Sequence, residues 1–248
     1  MKNGTVLLEA HNGIATITLN RPEVKNAINL EMHEDLQQAF TEADNDPTVK
    51  VIILQGKEGA FSSGADLKSI PVHDFASFDH GDYLAKTYNK LIEIIEAIDK
   101  PIIAYLNGTA VGAGLSIALA CDFRYAEPSA ILGVSFLKIA LVPDAGASYY
   151  LPRIVGLQKA VELCLGEPIT AEEALSCGLI NQIGNPSEFA TKLTQVPSTT
   201  FGLMKKNMRN SFDKSLTEVL EMEVQTQRQA GKTPEHMRAI QSFVMKGK

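Results

Sequence analysis

The chain has 248 residues, of which 45% are hydrophobic and 21% charged, and these values fit a globular α/β domain with a small helical extension rather than a disordered protein. Its formal net charge of −6 argues against nucleic acid or an anionic membrane as a general electrostatic partner. The three cysteines show no CxxC spacing, which predicts reduced thiols and neither a disulfide nor a metal site. No apolar run reaches about 18 residues, which predicts a cytoplasmic protein without a membrane span.

Apolar patterning predicts alternating strands and helices along the first half of the chain. Residues rich in β-branched side chains flank Asn12-Gly13, which is a hairpin signal. Short apolar runs predict strands and helical spacing predicts helices, in the order strands 5–9 and 14–19, helix 30–43, strand 49–55, helix 83–98, strand 101–106, helix 114–121, and strands 123–126 and 131–133. This alternation indicates a βαβ architecture.

The last quarter of the sequence is predicted to be helical. Thr170 and Glu173 have the spacing of a capping box that opens a short helix. Beyond Pro197 we expect helices only, with an apolar stripe formed by Met204, Met208, Phe212, Leu216, Leu220 and Val224. We therefore divide the chain into a core over 1–195 and a helical segment over 196–248, and we expect another copy of the chain to cover the stripe.

Two glycine-containing segments follow predicted strands. Phe61-Ser-Ser-Gly-Ala-Asp-Leu67 contains Gly64, which permits a positive φ or a close approach to a ligand. Asn107-Gly-Thr-Ala-Val-Gly-Ala-Gly-Leu115 opens a helix, whose free amides suit an anion or a developing oxyanion. The first segment is equally compatible with an ordinary connecting loop. The second lacks GxGxxG, so we reject a dinucleotide site.

Asp144 lies in Leu141-Val-Pro-Asp-Ala-Gly-Ala-Ser148, immediately before an apolar run. One interpretation is an N-cap aspartate for the following helix, which is a common role. The other is a carboxylate in an apolar pocket, where desolvation raises the pKa and yields a usable base. The residues alone leave both interpretations open.

Five segments together resemble the crotonase (enoyl-CoA hydratase/isomerase) superfamily in order and spacing. They are Asn20-Arg-Pro-Glu-Val-Lys-Asn-Ala27, Phe61-Ser-Ser-Gly-Ala-Asp-Leu67, Gly108-Thr-Ala-Val-Gly-Ala-Gly114, Cys121-Asp122 and Pro152-Arg-Ile-Val-Gly156. The resemblance implies an α/β fold of repeated ββα units forming a spiral, with a C-terminal helical segment that serves trimerisation or as a lid. It also implies a trimer or hexamer, an acyl-CoA thioester substrate, no metal, and no cofactor apart from the coenzyme A of the substrate.

The resemblance also implies roles for individual residues. The backbone amides of Ala65 and Ala113 would form the oxyanion hole, although family members usually have glycine at the second position. The residues implied to contact the substrate are Val24, Lys25, Ala27, Ser63, Asp66, Leu67, Gly112, Phe136, Leu141, Phe243 and Lys246. The last two would approach the adenine.

The chain departs from similar hydratases at two positions. Those enzymes use two glutamates, and the corresponding residues here are Ser116 and Phe136, which cannot activate water as carboxylates do. Asp144 resembles the working carboxylate of some enoyl-CoA isomerases. We therefore expect a 3-enoyl-CoA to 2-enoyl-CoA isomerase with Asp144 as proton shuttle.

Three alternatives remain: a hydratase with another means of activating water, an aryl-CoA dehalogenase, and a CoA-ester-binding or RNA-associated scaffold without turnover. The chain has no tryptophan, which disfavours the dehalogenase. We further hypothesise that segment 71–82 covers the acyl pocket, with Phe75 or Phe78 contacting the acyl chain. The five histidines are interpreted as surface or pocket-rim residues.

Overall fold

The computed structural model describes residues 4–69 and 78–246, in which strands and helices alternate from the first hairpin onward. The strands are β1 (Val6–His11), β2 (Ile14–Leu19), β3 (Val51–Gly56), β4 (Ala60–Ser62), β5 (Ile102–Leu106), β6 (Thr109–Val111), β7 (Phe123–Ala126), β8 (Ile131–Gly133), β9 (Ile169–Thr170) and β10 (Gln182–Ile183). The helices are α1 (Leu30–Asn45), α2 (His80–Lys86), α3 (Tyr88–Ala97), α4 (Ala113–Ala120), α5 (Ala147–Val155), α6 (Leu157–Cys164), α7 (Ala171–Ser176), α8 (Ser187–Leu193), α9 (Ser198–Asn210), α10 (Leu216–Ala230) and α11 (Pro234–Lys246).

The order ββα recurs along the chain as β1-β2-α1, β3-β4 followed by α2 and α3, β5-β6-α4, and β7-β8-α5. From the second unit on, the first strand joins a six-stranded sheet with the order β1-β2-β3-β5-β7-β10. The second strand joins a four-stranded sheet with the order β4-β6-β8-β9. Strands β2, β3, β5 and β7 pair in parallel, as do β4, β6 and β8. The predicted ββα spiral is confirmed.

The first hairpin forms as its turn residues predict. Asn12 and Gly13 both have positive φ, 51° and 82°, which two-residue hairpin turns require. Strands β1 and β2 pair antiparallel, with Val6 opposite Leu19.

The predicted buried strand is also present, because Val51, Ile52 and Leu54 on β3 are fully buried between flanking layers.

Helix α4 is buried along its whole length, as a helix that is apolar on every side must be. It packs against β4, β6 and α5. A Cβ atom added to Gly114 would lie 2.6 Å from the Cβ of Ser62, so only glycine allows this approach of α4 to β4. The close contact brings the first turn of α4 beside the loop that follows β4.

One prediction for the first half of the chain was wrong, and two strands were missed. The helix predicted over 83–98 is instead divided between α2 and α3 at Thr87, whose φ of −122° and ψ of −85° are not helical. The Thr87 hydroxyl donates to the Tyr83 carbonyl at 2.6 Å and stabilises the end of the first helix. The short strands β4 and β6 were not predicted, because their few residues give no periodic signal.

The C-terminal part contains helices α9 to α11 and no strand as far as residue 246. Every member of the predicted apolar stripe is at least 45% exposed, from Met204 at 45% to Leu216 at 74%. The capping box of Thr170 and Glu173 is confirmed at the start of α7. Among the described residues, no helix combines the length and apolarity needed to cross a membrane.

Candidate active site

The loop after β4 is held by a backbone pairing that leaves one amide unused. Ile28 and Ala65 form an isolated parallel β-bridge. The Ile28 N–H donates to the Gly64 carbonyl at 2.8 Å, and the Asp66 N–H donates to the Ile28 carbonyl at 2.9 Å. Because the bridge uses groups on either side of Ala65, the Ala65 N–H has no acceptor within residues 4–69 and 78–246.

The N–H of Ala113, the first residue of α4, is a second amide for which the described residues offer no acceptor. Amides of a first helical turn have no intrahelical acceptor, and the first such bond here runs from the Ser116 N–H to the Gly112 carbonyl at 3.0 Å. A Cβ atom added to Gly64 would lie 3.5 Å from the Ala113 nitrogen. The segments carrying the two free amides are therefore neighbours, and the second amide lies at the positive end of a helix.

A cavity of about 480 Å³ lies beside these amides. Its volume is in the range that holds a small ligand or one part of a larger ligand. Phe78 and His80, from the described end of the segment hypothesised to cover the pocket, also line it, whereas Phe75 lies outside the described residues. The sequence-predicted site residues that line the cavity are Ser63, Ala65, Leu67, Gly112, Ala113, Phe136, Leu141 and Asp144.

Asp144 enters the cavity from the turn before α5. Ala145 and Gly146 have positive φ, 49° and 82°, and the N-cap of α5 is Gly146, so the N-cap interpretation of Asp144 was wrong. Its carbonyl instead accepts from the Ala147 N–H at 2.9 Å. The Asp144 Oδ1 atom is buried, with no hydrogen-bond partner in the described part of the chain. Burial raises the pKa of this carboxyl to about 6, as expected for a charge removed from water without compensation.

Of the cavity-lining residues that the structure describes, Asp144 alone carries a carboxylate. Ser116 is buried in α4, where its hydroxyl donates to the Gly112 carbonyl at 3.3 Å. Phe136 begins a 3₁₀ helix and forms an apolar wall. Within 4–69 and 78–246, no three His, Cys, Asp or Glu side chains are grouped so as to hold a metal ion.

Three residues implied to contact the substrate, Val24, Lys25 and Ala27, are not among the residues that line this cavity. The Ser63 N–H donates to the Lys25 carbonyl at 2.9 Å, and the Ser63 hydroxyl donates to the Val24 carbonyl at 3.2 Å. The Ala27 carbonyl accepts from the Arg21 guanidinium at 2.7 Å. The carbonyls of Val24 and Lys25 therefore hold Ser63, which is part of the cavity wall.

Asp66 also does not line the cavity. Its carboxylate forms an ion pair with Arg21 at 2.8 Å, with both side chains largely buried. Asn26 fixes the same segment, since its amide donates to the Ala60 carbonyl at 2.8 Å and its side-chain oxygen accepts from the Arg21 N–H at 2.9 Å. The motif from Asn20 to Ala27 therefore orients the loop that carries Ala65.

Helix α11 carries the two residues implied to approach the adenine. Phe243 is 81% exposed and does not line the cavity. Lys246 ends the helix, and its side chain lies outside the description. Within the described part of a single chain, Phe243 does not reach the cavity.

Two buried polar side chains near the cavity were not predicted as site residues. Tyr88 on α3 lines the cavity and is 2% exposed. His33 on α1 is 1% exposed, so its assignment to the surface or pocket rim was wrong. The spacing of His33, Leu36 and Phe40 places all three on one helix face, and this signal was available in the sequence.

Comparison with known proteins agrees with this geometry. The sequence profile described as enoyl-CoA hydratase/isomerase matches residues 9–248. The chain is 32% identical to the 1,2-epoxyphenylacetyl-CoA isomerase of Escherichia coli over 97% of its own length and 95% of that protein. It is 31% identical to 4-chlorobenzoyl coenzyme A dehalogenase-2 of an Arthrobacter species, over 89% and 83% of the two chains.

Its fold is also similar to a crystal structure of the enoyl-CoA hydratase/isomerase of Cupriavidus metallidurans, with a TM-score of 0.91 and 29% identity over 99% and 96% of the chains. The names of these proteins cover several reactions, and all of them are reactions of coenzyme A esters or enoyl-CoA chemistry. The profile match spans nearly the whole chain and includes every segment of the site. The chain therefore belongs to the crotonase, or enoyl-CoA hydratase/isomerase, family of acyl-CoA enzymes.

Proposed function

We propose that the protein is an enoyl-CoA isomerase that converts a 3-enoyl-CoA ester into the 2-enoyl ester. The observation that carries the proposal is the partly buried carboxylate of Asp144, whose pKa is raised to about 6. Among the described residues it is the one carboxylate that lines the cavity, beside the backbone amides of Ala65 and Ala113. A base with a pKa slightly below the working pH is ionised and still able to hold a proton. Isomerisation requires one such group.

The proton follows a closed path in this proposal. The Asp144 carboxylate removes a proton from C2 of the thioester, and the electron pair moves onto the thioester oxygen. The same carboxyl returns the proton to C4, so the double bond moves from C3–C4 to C2–C3. No water is consumed, and no cofactor is needed beyond the coenzyme A carried by the substrate.

The thioester oxygen becomes negatively charged during this transfer. We assign its stabilisation to the N–H groups of Ala65 and Ala113, which are free and carried on neighbouring segments. Fixed donors at such a position contribute about 10²–10³ in rate each. The role needs only the backbone amide, so alanine at position 113 supports it as glycine would.

Hydration is the first alternative, because relatives of this chain include proteins named hydratase/isomerase. Hydration needs a group that holds and activates water in addition to the base. Ser116 bonds to its own helix and Phe136 is apolar, so neither position supplies such a group. The geometry therefore supports proton transfer without water.

Dehalogenation is the second alternative, because one relative is named a 4-chlorobenzoyl coenzyme A dehalogenase. In that reaction type the carboxylate of Asp144 would act as a nucleophile on an aromatic ring. A resemblance to dehalogenases would require a tryptophan in the pocket near Phe136, and the chain has no tryptophan. We therefore place this reaction after isomerisation.

A homo-oligomer, a trimer or hexamer, completes the proposal. The stripe from Met204 to Val224 exposes large apolar side chains on α9 and α10. Contiguous apolar surfaces of this kind mark interfaces in proteins that fold as assemblies. We assign the stripe to contact with another copy of the chain.

The test is a product analysis on purified protein with three separate substrates: a 3-enoyl-CoA, the matching 2-enoyl-CoA, and 4-chlorobenzoyl-CoA. Conversion of the 3-enoyl to the 2-enoyl ester without a 3-hydroxyacyl product supports the proposal. Rapid 3-hydroxyacyl-CoA formation from the 2-enoyl ester would establish a hydratase, and chloride release would establish a dehalogenase. Tight ester binding without turnover of any substrate would establish a scaffold.

A further inference from the structure

Tyr88 is one of the residues that line the cavity, and it carries an unused hydrogen-bond donor. The residue is 2% exposed. The hydroxyl is buried and has no hydrogen-bond partner among residues 4–69 and 78–246. A buried polar group without a partner is unfavourable, because the hydrogen bonds that it made to water are lost without replacement.

Two tyrosines elsewhere in the fold show the usual arrangement. The Tyr150 hydroxyl donates to the Glu96 carboxylate at 2.7 Å, and the Tyr105 hydroxyl donates to the Glu127 carboxylate. Tyr105 is 7% exposed and Tyr150 is 8% exposed. Tyr88 is more deeply buried than either and is the one that lacks an acceptor in the described chain.

The neighbours of Tyr88 keep its hydroxyl protonated and its ring fixed. His33 packs edge-on against the Tyr88 ring at 4.1 Å between ring centroids, and Tyr83 lies 6.2 Å away. Burial raises the pKa of Tyr88, and the nearby Tyr83 and Asp144 raise it further. Burial lowers the pKa of His33 to about 4, so this ring is neutral at pH 7. Tyr88 is therefore a rigid neutral donor.

Asp144 does not use this donor. Its own buried Oδ1 has no partner in the described residues, so the two groups line one cavity without being bonded to each other. The lining otherwise contains many apolar side chains, among them Leu84, Phe136 and Leu141. A donor at such a place favours a ligand that brings an acceptor and disfavours one that leaves the donor unpaired.

We propose that Tyr88 selects acyl groups that carry an oxygen atom on the chain, as a hydroxyl, ether or carbonyl, in addition to the thioester carbonyl. The Tyr88 hydroxyl donates to that oxygen when the acyl group fills the cavity. This inference rests on the proposed function for the identity of the ligand as an acyl-CoA ester. It adds the chemical class of the acyl group and makes Tyr88 a specificity-determining residue.

The experiment measures binding and needs no turnover. Hexanoyl-CoA and its hydroxylated analogues, with the hydroxyl on C4, C5 or C6, are titrated calorimetrically into wild-type protein, Tyr88→Phe and Tyr150→Phe. For each protein, the Kd of hexanoyl-CoA is divided by the Kd of each analogue. For at least one analogue, this ratio should be about tenfold larger in the wild-type protein than in Tyr88→Phe. Tyr150→Phe removes a hydroxyl outside the cavity and should keep the wild-type ratio.

Equal ratios in wild type and Tyr88→Phe for every analogue would overturn the inference. Methoxy analogues give a second reading in wild-type protein alone, because an ether accepts a hydrogen bond but cannot donate one. They should keep the preference, and a wild-type protein that prefers hexanoyl-CoA to every oxygenated ester would also overturn the inference. All these esters are saturated, so they lack the double bond that an isomerase moves. The binding result can therefore be interpreted even if the isomerase assay shows no turnover.

Discussion

Gly64 lies so close to the start of α4 that a Cβ atom added to it would be 3.5 Å from the backbone nitrogen of Ala113 and 3.0 Å from the carbonyl oxygen of Val111. The φ of Gly64 is +89°, which an L side chain rarely adopts. Both constraints act on the segment that carries the Ala65 amide. A side chain at this position must therefore displace one of the two proposed oxyanion donors relative to the other.

We expect Gly64→Ala to reduce kcat for isomerisation by about 100-fold, since mispositioning one oxyanion donor resembles removing it. The matched control is Gly178→Ala, where φ is +76° and no atom lies within 4 Å of the added Cβ. The control bears the backbone strain without the contact with α4. Steady-state kinetics of both variants check this, and equal losses would show that strain alone is responsible.

We expect Asp144→Asn to abolish isomerisation while leaving the affinity for a CoA ester nearly unchanged, because the amide keeps the shape of the side chain but cannot accept the proton. Asp213→Asn, which removes a charge at an exposed ion pair with Arg153, serves as the control. Turnover is measured by product chromatography and affinity by titration with a saturated ester. Full activity of Asp144→Asn would exclude this residue as the base.

The pH dependence of kcat/KM should reflect the raised pKa of Asp144. Its ordinary value is 3.8, and burial raises it to about 6. The base acts in its ionised form, so kcat/KM should rise tenfold per pH unit below about 6 and level off above it. A profile that is flat from pH 5 to 8 would contradict a buried carboxylate as the base.

The burial of Asp144 should also lower the free energy of unfolding above pH 6, where its carboxyl group is ionised. Because its pKa is higher in the folded than in the unfolded chain, the folded protein loses stability as the pH rises from about 4 to about 6. Asp144→Asn removes the charge and should raise the free energy of unfolding at pH 7.5 by about 1–2 kcal/mol, after allowance for partial solvent screening. The gain should vanish near pH 4, which denaturant titrations at the two pH values can check.

A buried ionic cluster behind the site gives a second stability prediction. The Asp122 carboxylate accepts from Lys205 at 3.1 Å, from Arg209 at 3.1 Å and from the Ile102 N–H at 2.9 Å. We expect Asp122→Ala to cost about 3–5 kcal/mol, because it leaves the buried Lys205 ammonium without its ion-pair partner, whereas Arg209 keeps its pair with Glu96. Asp99→Ala breaks the exposed pair with Lys206 and should cost less than about 1 kcal/mol. Urea unfolding of the two variants measures the difference.

Local signals in the sequence predicted the hairpin, the capping box and the buried strands, because each depends on residues close together in the chain. The break at Thr87 could not be predicted in the same way, since apolar spacing continues from α2 into α3 across it. Strands β4 and β6 are only three residues long and exist because they pair with each other. Their formation is a tertiary effect.

The site was predicted unevenly for a similar reason. Asp144, Ala65 and Ala113 were found through motifs, but their meeting at one cavity depends on packing of α4 against β4, which no local pattern encodes. Val24 and Lys25 belong to a recognisable motif, and their carbonyls accept hydrogen bonds from Ser63 in the cavity wall. Side-chain identity alone could not indicate these backbone contacts.

The bridge between Ile28 and Ala65 has a consequence for mutational mapping of this enzyme. The two proposed oxyanion donors are main-chain groups of residues that are already alanine, so an alanine scan would pass over both positions without a signal. Their contribution becomes visible only through neighbours such as Gly64, or through replacement of an amide by an ester bond in the backbone. An alanine scan of this protein would therefore test the proposed base, Asp144, and would give no information on the two proposed oxyanion donors.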